Sequence, residues 1–247
     1  MIKKLLFSCA FFLISPLSNA AQIIVAVASN FSEPAKQIAK QFEHKYNTKV
    51  IISSAGTGVL ANQIKNGAPY EILLSADKTT PQQLIQDGYA VKDTQFTYAQ
   101  GQLVLWSKQT NLITNDANIL KTNKFNFLAI ANPKLAPYGS AAMQTLAKLG
   151  LTESIKNKIV TGDNISNTYQ FVATGNADLG FVALSQIMNN GKITTGSYWI
   201  VPQNITPLIQ QDAIILNVGK NNPASQQFMN FIKSKTVQQI IKSYGYQ

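Results

Sequence analysis

Arginine is absent from this 247-residue chain: the 21 basic side chains are all lysines, set against only 11 acidic ones. Sites that grip carboxylates or phosphates by planar, bidentate pairing rely on guanidinium groups, so an anion site here has to be built from something else. Cysteine occurs once, as Cys9 near the N-terminus, and histidine once, as His44 in the charged run QFEHK on the outward side of a helical pattern. Disulfides, thiol nucleophiles, histidine triads and Cys/His metal centres therefore lack the residues they need. No GxSxG elbow is found, and Gly56-Thr57-Gly58 lacks the lysine and spacing of a phosphate-cradling P-loop. Composition alone leaves a serine–lysine dyad open. The basic balance invites a nucleic-acid reading, but no lysine cluster interleaved with aromatics is present.

Long apolar runs are also few. Lys3 and Lys4, an apolar core over residues 5–14 and the small residues Ser18, Asn19 and Ala20 read as an export signal cleaved after about Ala20, so the chain is expected to be exported. The core is too short to span a bilayer, and no later stretch is longer. A lipid anchor at Cys9 (Leu6-Phe7-Ser8-Cys9) would leave almost no apolar core before it. Removing residues 1–20 leaves 227 residues and lowers the formal charge from +10 to +8, a field that speeds the arrival of anions and is screened by salt.

What is present is a repeated grammar: a short apolar strand, a loop of small polar residues, then a helix closed by glycine. Residues 23–28 form the first strand, Ser29, Asn30 and Ser32 stand at its end, and Ala35, Ile38, Ala39 and Phe42 mark one face of the next helix. The second copy is KVIISS (49–54), the loop 55–58 and a helix to Gly67; the third is EILL (71–74), Ser75-Ala76-Asp77 and a helix over 81–87. FTYAQGQLVLWS (96–107) reads as an extended crossover. The grammar then resumes with strand 127–131, a loop through Pro137-Tyr138-Gly139, helix 140–149, strand 158–161, loop 162–165, helix 166–174 and strand 179–183. Segment 212–218 returns the chain, and two helices end it. Alternation of this kind predicts an α/β protein of two lobes, each a mostly parallel sheet flanked by helices: residues 21–100 with 208–247, and residues 101–207. Strand ends of both lobes would then face one cleft, where ligands of open α/β sheets bind.

The chemistry left is a shell of neutral donors: the hydroxyls of Ser29 and Thr57, the Tyr138 phenol, and backbone N–H groups at helix starts near Asn30, Gly58, Gly139 and Ile165. Hydrogen bonds to a charged guest are worth roughly 1.5–3 kcal/mol each, so about half a dozen can hold a dianion without a countercharge. Glu71, Asp77, Asp163 and Asp178 lie near strand ends, where backbone bonding and helix capping are their ordinary roles.

AVASNF, SSAGTGVLANQIKNGAPYEILLSAD, FTYAQGQLVLWS, ANPKLAPYGSAAMQTLAKLG, GNADLGFVALSQI and FMNFIKSKTVQQIIKSYGY resemble, in order and spacing, the periplasmic molybdate-binding proteins of ABC importers. That resemblance implies a two-lobed type II periplasmic binding protein fold, an oxyanion held in the cleft, no cofactor, no catalysis, and a permease and ATPase as partners of a monomeric carrier. It places Ser29 at the first hydroxyl position with Asn30 beside it, Thr57 at the serine of the second loop, Tyr138 at a tyrosine used by one subgroup, and Ile165 at an apolar position whose N–H binds an oxygen. Ala183 stands where another subgroup carries a tyrosine, so Tyr138 is expected to supply the one phenol. Thr57 for serine and Glu71 for a frequent aspartate depart from the family pattern. Other readings are a sulfate, thiosulfate or phosphate binder, a secreted serine–lysine hydrolase, and a sensory lobe working with a membrane receptor.

Overall fold

The structure, a computed structural model, describes residues 21–247 except residues 115, 123 and 194 and the side chain of residue 189. The export-signal reading, with Lys3, Lys4 and Cys9, lies outside the described residues. Among the described residues, no helix is long and apolar enough to cross a membrane.

Strand β1 (Gln22–Ala28) is a buried apolar run that passes through a 3-10 turn (Ser29–Phe31) into α1 (Ser32–Tyr46). Pro34, Ala35, Ile38, Ala39 and Phe42 recur at helical spacing on its buried face, and the helix stops at Asn47, whose left-handed φ of 50° turns the chain toward β2. There follow β2 (Lys49–Ala55), α2 (Thr57–Lys65), β3 (Ile72–Leu74), α3 (Thr79–Gln86) and β4 (Phe96–Gly101). The chain then crosses into β5 (Leu103–Ser107), β6 (Leu128–Ala131), α4 (Pro137–Lys148), α5 (Thr152–Ile155), β7 (Ile159–Gly162), α6 (Ile165–Ala173), β8 (Leu179–Ala183) and α7 (Leu184–Ile187). A small hairpin, β9 (Met188–Asn189) and β10 (Lys192–Ile193), which the sequence did not signal, precedes β11 (Ser197–Ile200). Strand β12 (Ile209–Ile215) returns to the first lobe, and α8 (Pro223–Ile232) and α9 (Lys235–Ser243) cover it, with Phe42 edge-on to Phe228 at 5.0 Å.

Two five-stranded sheets result, in the orders β2-β1-β3-β12-β4 and β11-β5-β8-β6-β7. Both are mixed. In each, four strands share one direction and one is reversed: β12 in the first, β5 in the second. The reversed strand is in each case the one that has just arrived from the other lobe, so its direction is set by the crossing and not by a βαβ unit. The carboxyl ends of β1, β2, β3, β6 and β7 consequently point into the space between the lobes.

Three segments read as loops turn out to be helical first turns. Strand β2 runs through Ala55 and α2 starts at Thr57; α4 starts at Pro137, which occupies the first helical position that proline favours; α6 starts at Ile165. Gly139 sits inside the first turn of α4 because an added Cβ would come within 2.2 Å of the Ala131 carbonyl oxygen.

Candidate functional site

Among the openings between the lobes is a small cavity of about 10 Å3, lined by Ala28 at the end of β1, Ser29 and Asn30 beyond it, Gly56 and Thr57 after β2, Ala76 after β3, Ala136, Pro137 and Tyr138 after β6, and Ile165 after β7; a wider one of about 460 Å3, which includes Asp77, Lys78 and Lys134, opens beside it. The smaller volume is about what a single water needs, so an extended organic acid has no place in it. All five principal sequence candidates, Ser29, Asn30, Thr57, Tyr138 and Ile165, are buried and share its wall. No lysine, aspartate or glutamate belongs to that wall.

The wall is made almost wholly of helix starts. Serine, threonine, asparagine and aspartate are the preferred residues before a first turn, because their side-chain oxygens bond the N–H groups that the helix leaves unpaired. Here the positions before the 3-10 turn, α2 and α4 are Ala28, Gly56 and Ala136, none of which makes a side-chain cap. Only α6 has one: Asn164 Oδ1 accepts from the N–H of Ser166 (2.9 Å) and Asn167 (3.1 Å), which leaves the N–H of Ile165 outside the cap. First-turn residues of α2, α4 and α6 thus line one void. The Thr57 hydroxyl oxygen accepts from the Ala76 N–H at 3.2 Å, so its proton is kept for another acceptor.

Behind the cavity is a buried network that sequence reasoning missed. Gln211, fully buried on β12, accepts at Oε1 from Asn30 Nδ2 (2.9 Å) and the Tyr98 hydroxyl (3.1 Å), and donates from Nε2 to the Tyr138 hydroxyl (3.2 Å). Tyr246 accepts from Asn30 Nδ2 (3.0 Å) and donates to the Asn30 carbonyl (2.8 Å), which also accepts from Ser185 Oγ of the second lobe (2.8 Å). Burial pushes the phenols of Tyr98, Tyr138 and Tyr246 upward, so each keeps its proton through the physiological range. The signal for this network was faint: a pair of glutamines and an aspartate in an otherwise apolar strand. Asn30 therefore ties the first lobe together with its side chain and reaches the second lobe through its carbonyl. The Tyr138 hydroxyl, expected as a phenol donor, points to the crossing, where a Cβ on Gly101 would lie 2.0 Å from its oxygen.

The secondary candidates are not in the cavity wall. Gly58 donates its N–H to the Leu135 carbonyl of the other lobe (2.9 Å), Gly139 to the Ala136 carbonyl (2.9 Å), and Ala183 to Gln186 Oε1 (2.9 Å). The acids take ordinary structural roles: Glu71 accepts from Asn222 and Ser225, Asp77 caps α3 through Thr80, Asp178 accepts from the N–H groups of Asn126 and Phe127, and Asp163 is exposed. His44 is exposed too. Ser75 and Lys78 have the spacing of an SxxK motif, but the Ser75 hydroxyl donates to Asp77 and Lys78 is exposed, so the pair is not a catalytic dyad. Among the described residues no group of three or more His, Cys, Asp or Glu could hold a metal ion.

Two α/β lobes, joined by extended crossings and meeting around a small cavity whose wall has no charged side chain, define a two-lobed binding protein of the type II periplasmic class. The model of the bacterial extracellular solute-binding protein family matches residues 23–247, and the chain belongs to that family. The molybdate-binding protein ModA of Azotobacter vinelandii is 51% identical over 234 residues, covering 95% of this chain and 93% of that protein. ModA of Rhodobacter capsulatus is 44% identical over 227 residues, covering 92% and 88%. Among solved structures, the Azotobacter vinelandii periplasmic molybdate-binding protein superposes with a TM-score of 0.89 at 39% identity, covering 91% of this chain and 98% of that one.

Proposed function

We propose that this chain is an exported carrier that closes its lobes, residues 21–100 with 208–247 and residues 101–207, on molybdate and presents the closed form to the permease and ATPase of an ABC importer. The observation that carries the reading is the void whose wall is helix starts and hydroxyls without any charged side chain. A tetrahedral dianion is an acceptor in every direction, and a shell of donors is its complement. The named relatives, alike over nearly the full chain, bind molybdate by their own names. The guest is held by the hydroxyls of Ser29 and Thr57 and by backbone N–H groups at Asn30, Tyr138 and Ile165, with the Tyr138 phenol kept for the crossing between lobes.

Tungstate, of the same charge and shape, enters the same shell. Sulfate and thiosulfate lose by fit, and a protonated phosphate finds no carboxylate to accept its hydrogen. The chain acts in the periplasm as a monomer, its leader removed after about Ala20. A serine hydrolase reading fails for want of a base: no lysine joins Ser29 or Thr57 at the cavity wall. Calorimetry with molybdate, tungstate, sulfate and phosphate tests the proposal. Submicromolar one-to-one binding of the first two, with sulfate and phosphate at least a hundredfold weaker, is expected; sulfate binding as tight as molybdate defeats it.

A further inference from the structure

Gly56 and Gly58 flank Thr57, and neither owes its identity to backbone conformation: φ at Gly56 is −64°, and Gly58 is not among the glycines of positive φ. Gly58 even stands inside the first turn of α2, where glycine is a poor helix former and alanine a good one. What the position requires is room for the opposite lobe. A Cβ at residue 58 would lie 3.1 Å from Leu135 Cα, 3.2 Å from its carbonyl oxygen and 3.3 Å from Cδ2; at residue 56 it would lie 3.2 Å from the same oxygen. Through that gap the Leu135 carbonyl reaches the start of α2 and accepts the Gly58 N–H at 2.9 Å.

We propose that Gly58 is a positioning residue that latches the closed state, its N–H and its bare Cα receiving the Leu135 carbonyl only when the lobes have met over the guest. The first turn of α2 is thereby divided. Thr57 faces the cavity, while its neighbour Gly58 binds the opposing lobe, so guest and latch are engaged by consecutive residues of one rigid element. A second tie runs the other way, from Ser166 Oγ at the start of α6 to the Ser29 carbonyl at 3.3 Å. Donation to that carbonyl polarises the peptide whose N–H belongs to Asn30, so closing of the second lobe strengthens a donor of the first.

The latch rests on the reading that the cavity takes molybdate, and the test separates the two. The mature full-length chain and its Gly58→Ala variant are compared by ligand-free melting temperature, molybdate calorimetry and stopped-flow dissociation. The expected result is an unchanged or raised ligand-free melting temperature, affinity weakened at least tenfold, and most of that change in faster dissociation. Wild-type protein that binds no molybdate overturns the ligand reading and the latch with it. Wild-type binding matched within twofold by Gly58→Ala overturns the latch alone. A fall in ligand-free melting temperature in Gly58→Ala also overturns it, because the glycine would then serve the fold and not the closure.

Discussion

Gln211 Nε2 donates to the Tyr138 hydroxyl across 3.2 Å, so an amide on the strand that returns to the first lobe holds the first turn of a helix in the second. The same amide accepts from Asn30 and Tyr98. Gln211→Leu keeps the size and removes all three partners in a dry interior, where a buried orphan costs about 1–3 kcal/mol. The variant is expected to lose about 2–4 kcal/mol in ligand-free urea unfolding; a loss below about 0.5 kcal/mol contradicts the network's role.

Thr57 tests the hydroxyl donors. Thr57→Val preserves shape but deletes the proton proposed to face the guest and leaves the Ala76 N–H unpaired. Molybdate affinity is expected to fall roughly 10- to 150-fold, the equivalent of about 1.5–3 kcal/mol for a bond to a charged group. Thr57→Ser is expected to stay within about threefold of wild type, since a threefold change is under 1 kcal/mol. Equal losses in both variants would show that the hydroxyl is not what binds.

Ile165 allows a backbone donor to be removed by mutation. It is the first residue of α6, a position where proline is favoured, and Asn164 before it is extended (φ −149°, ψ 178°), as a residue preceding proline should be. Ile165→Pro deletes the N–H and keeps the helix, while Ile165→Ala controls for the lost side chain. Calorimetry is expected to give Ile165→Ala an affinity near wild type and Ile165→Pro one at least about tenfold weaker. Equal affinities would exclude that N–H from the site.

Asp77 supplies a pH dependence. Burial holds its carboxyl above the ordinary value of 3.8, outweighing bonds from Thr80 and Ser75, and the charge of Asp212 adds to the rise. A raised folded-state pKa favours the fold fully below the unfolded value and loses that contribution as pH climbs through the folded value. Asp77→Asn lacks this loss. Its unfolding free energy relative to wild type is expected to increase in chemical denaturation as pH climbs above the ordinary carboxylate value of 3.8; a difference that stays flat or shrinks contradicts the assignment.

Much of this was legible in the sequence because apolar periodicity and glycine stops are local signals: β1, α1 and the crossover 96–107 emerge at nearly their true bounds. The starts of α2 and α4 were not, and the reason is physical; the start of α6, capped by Asn164, lies one residue from the expected bound. A helix start is recognised by a capping side chain, and Gly56 and Ala136 carry none. The absent caps that hid these helices also leave their N–H groups open to a guest. Gln211, Tyr246, Leu135 and Ser166 escaped notice because their partners lie on the other lobe or far along the chain, from 73 residues for Gln211 and Tyr138 to 216 for Tyr246 and Asn30.

The central claim, that uncharged hydroxyls and peptide nitrogens hold a dianion between two lobes, is tested most directly by a crystal structure of the molybdate-bound protein. The account predicts the oxygens of the guest bonded to the hydroxyls of Ser29 and Thr57 and to the N–H groups of Tyr138 and Ile165, with every lysine Nζ beyond the roughly 4 Å of an ion pair. A lysine ammonium bonded to the guest, or Ser29 and Thr57 turned away from it, would contradict it.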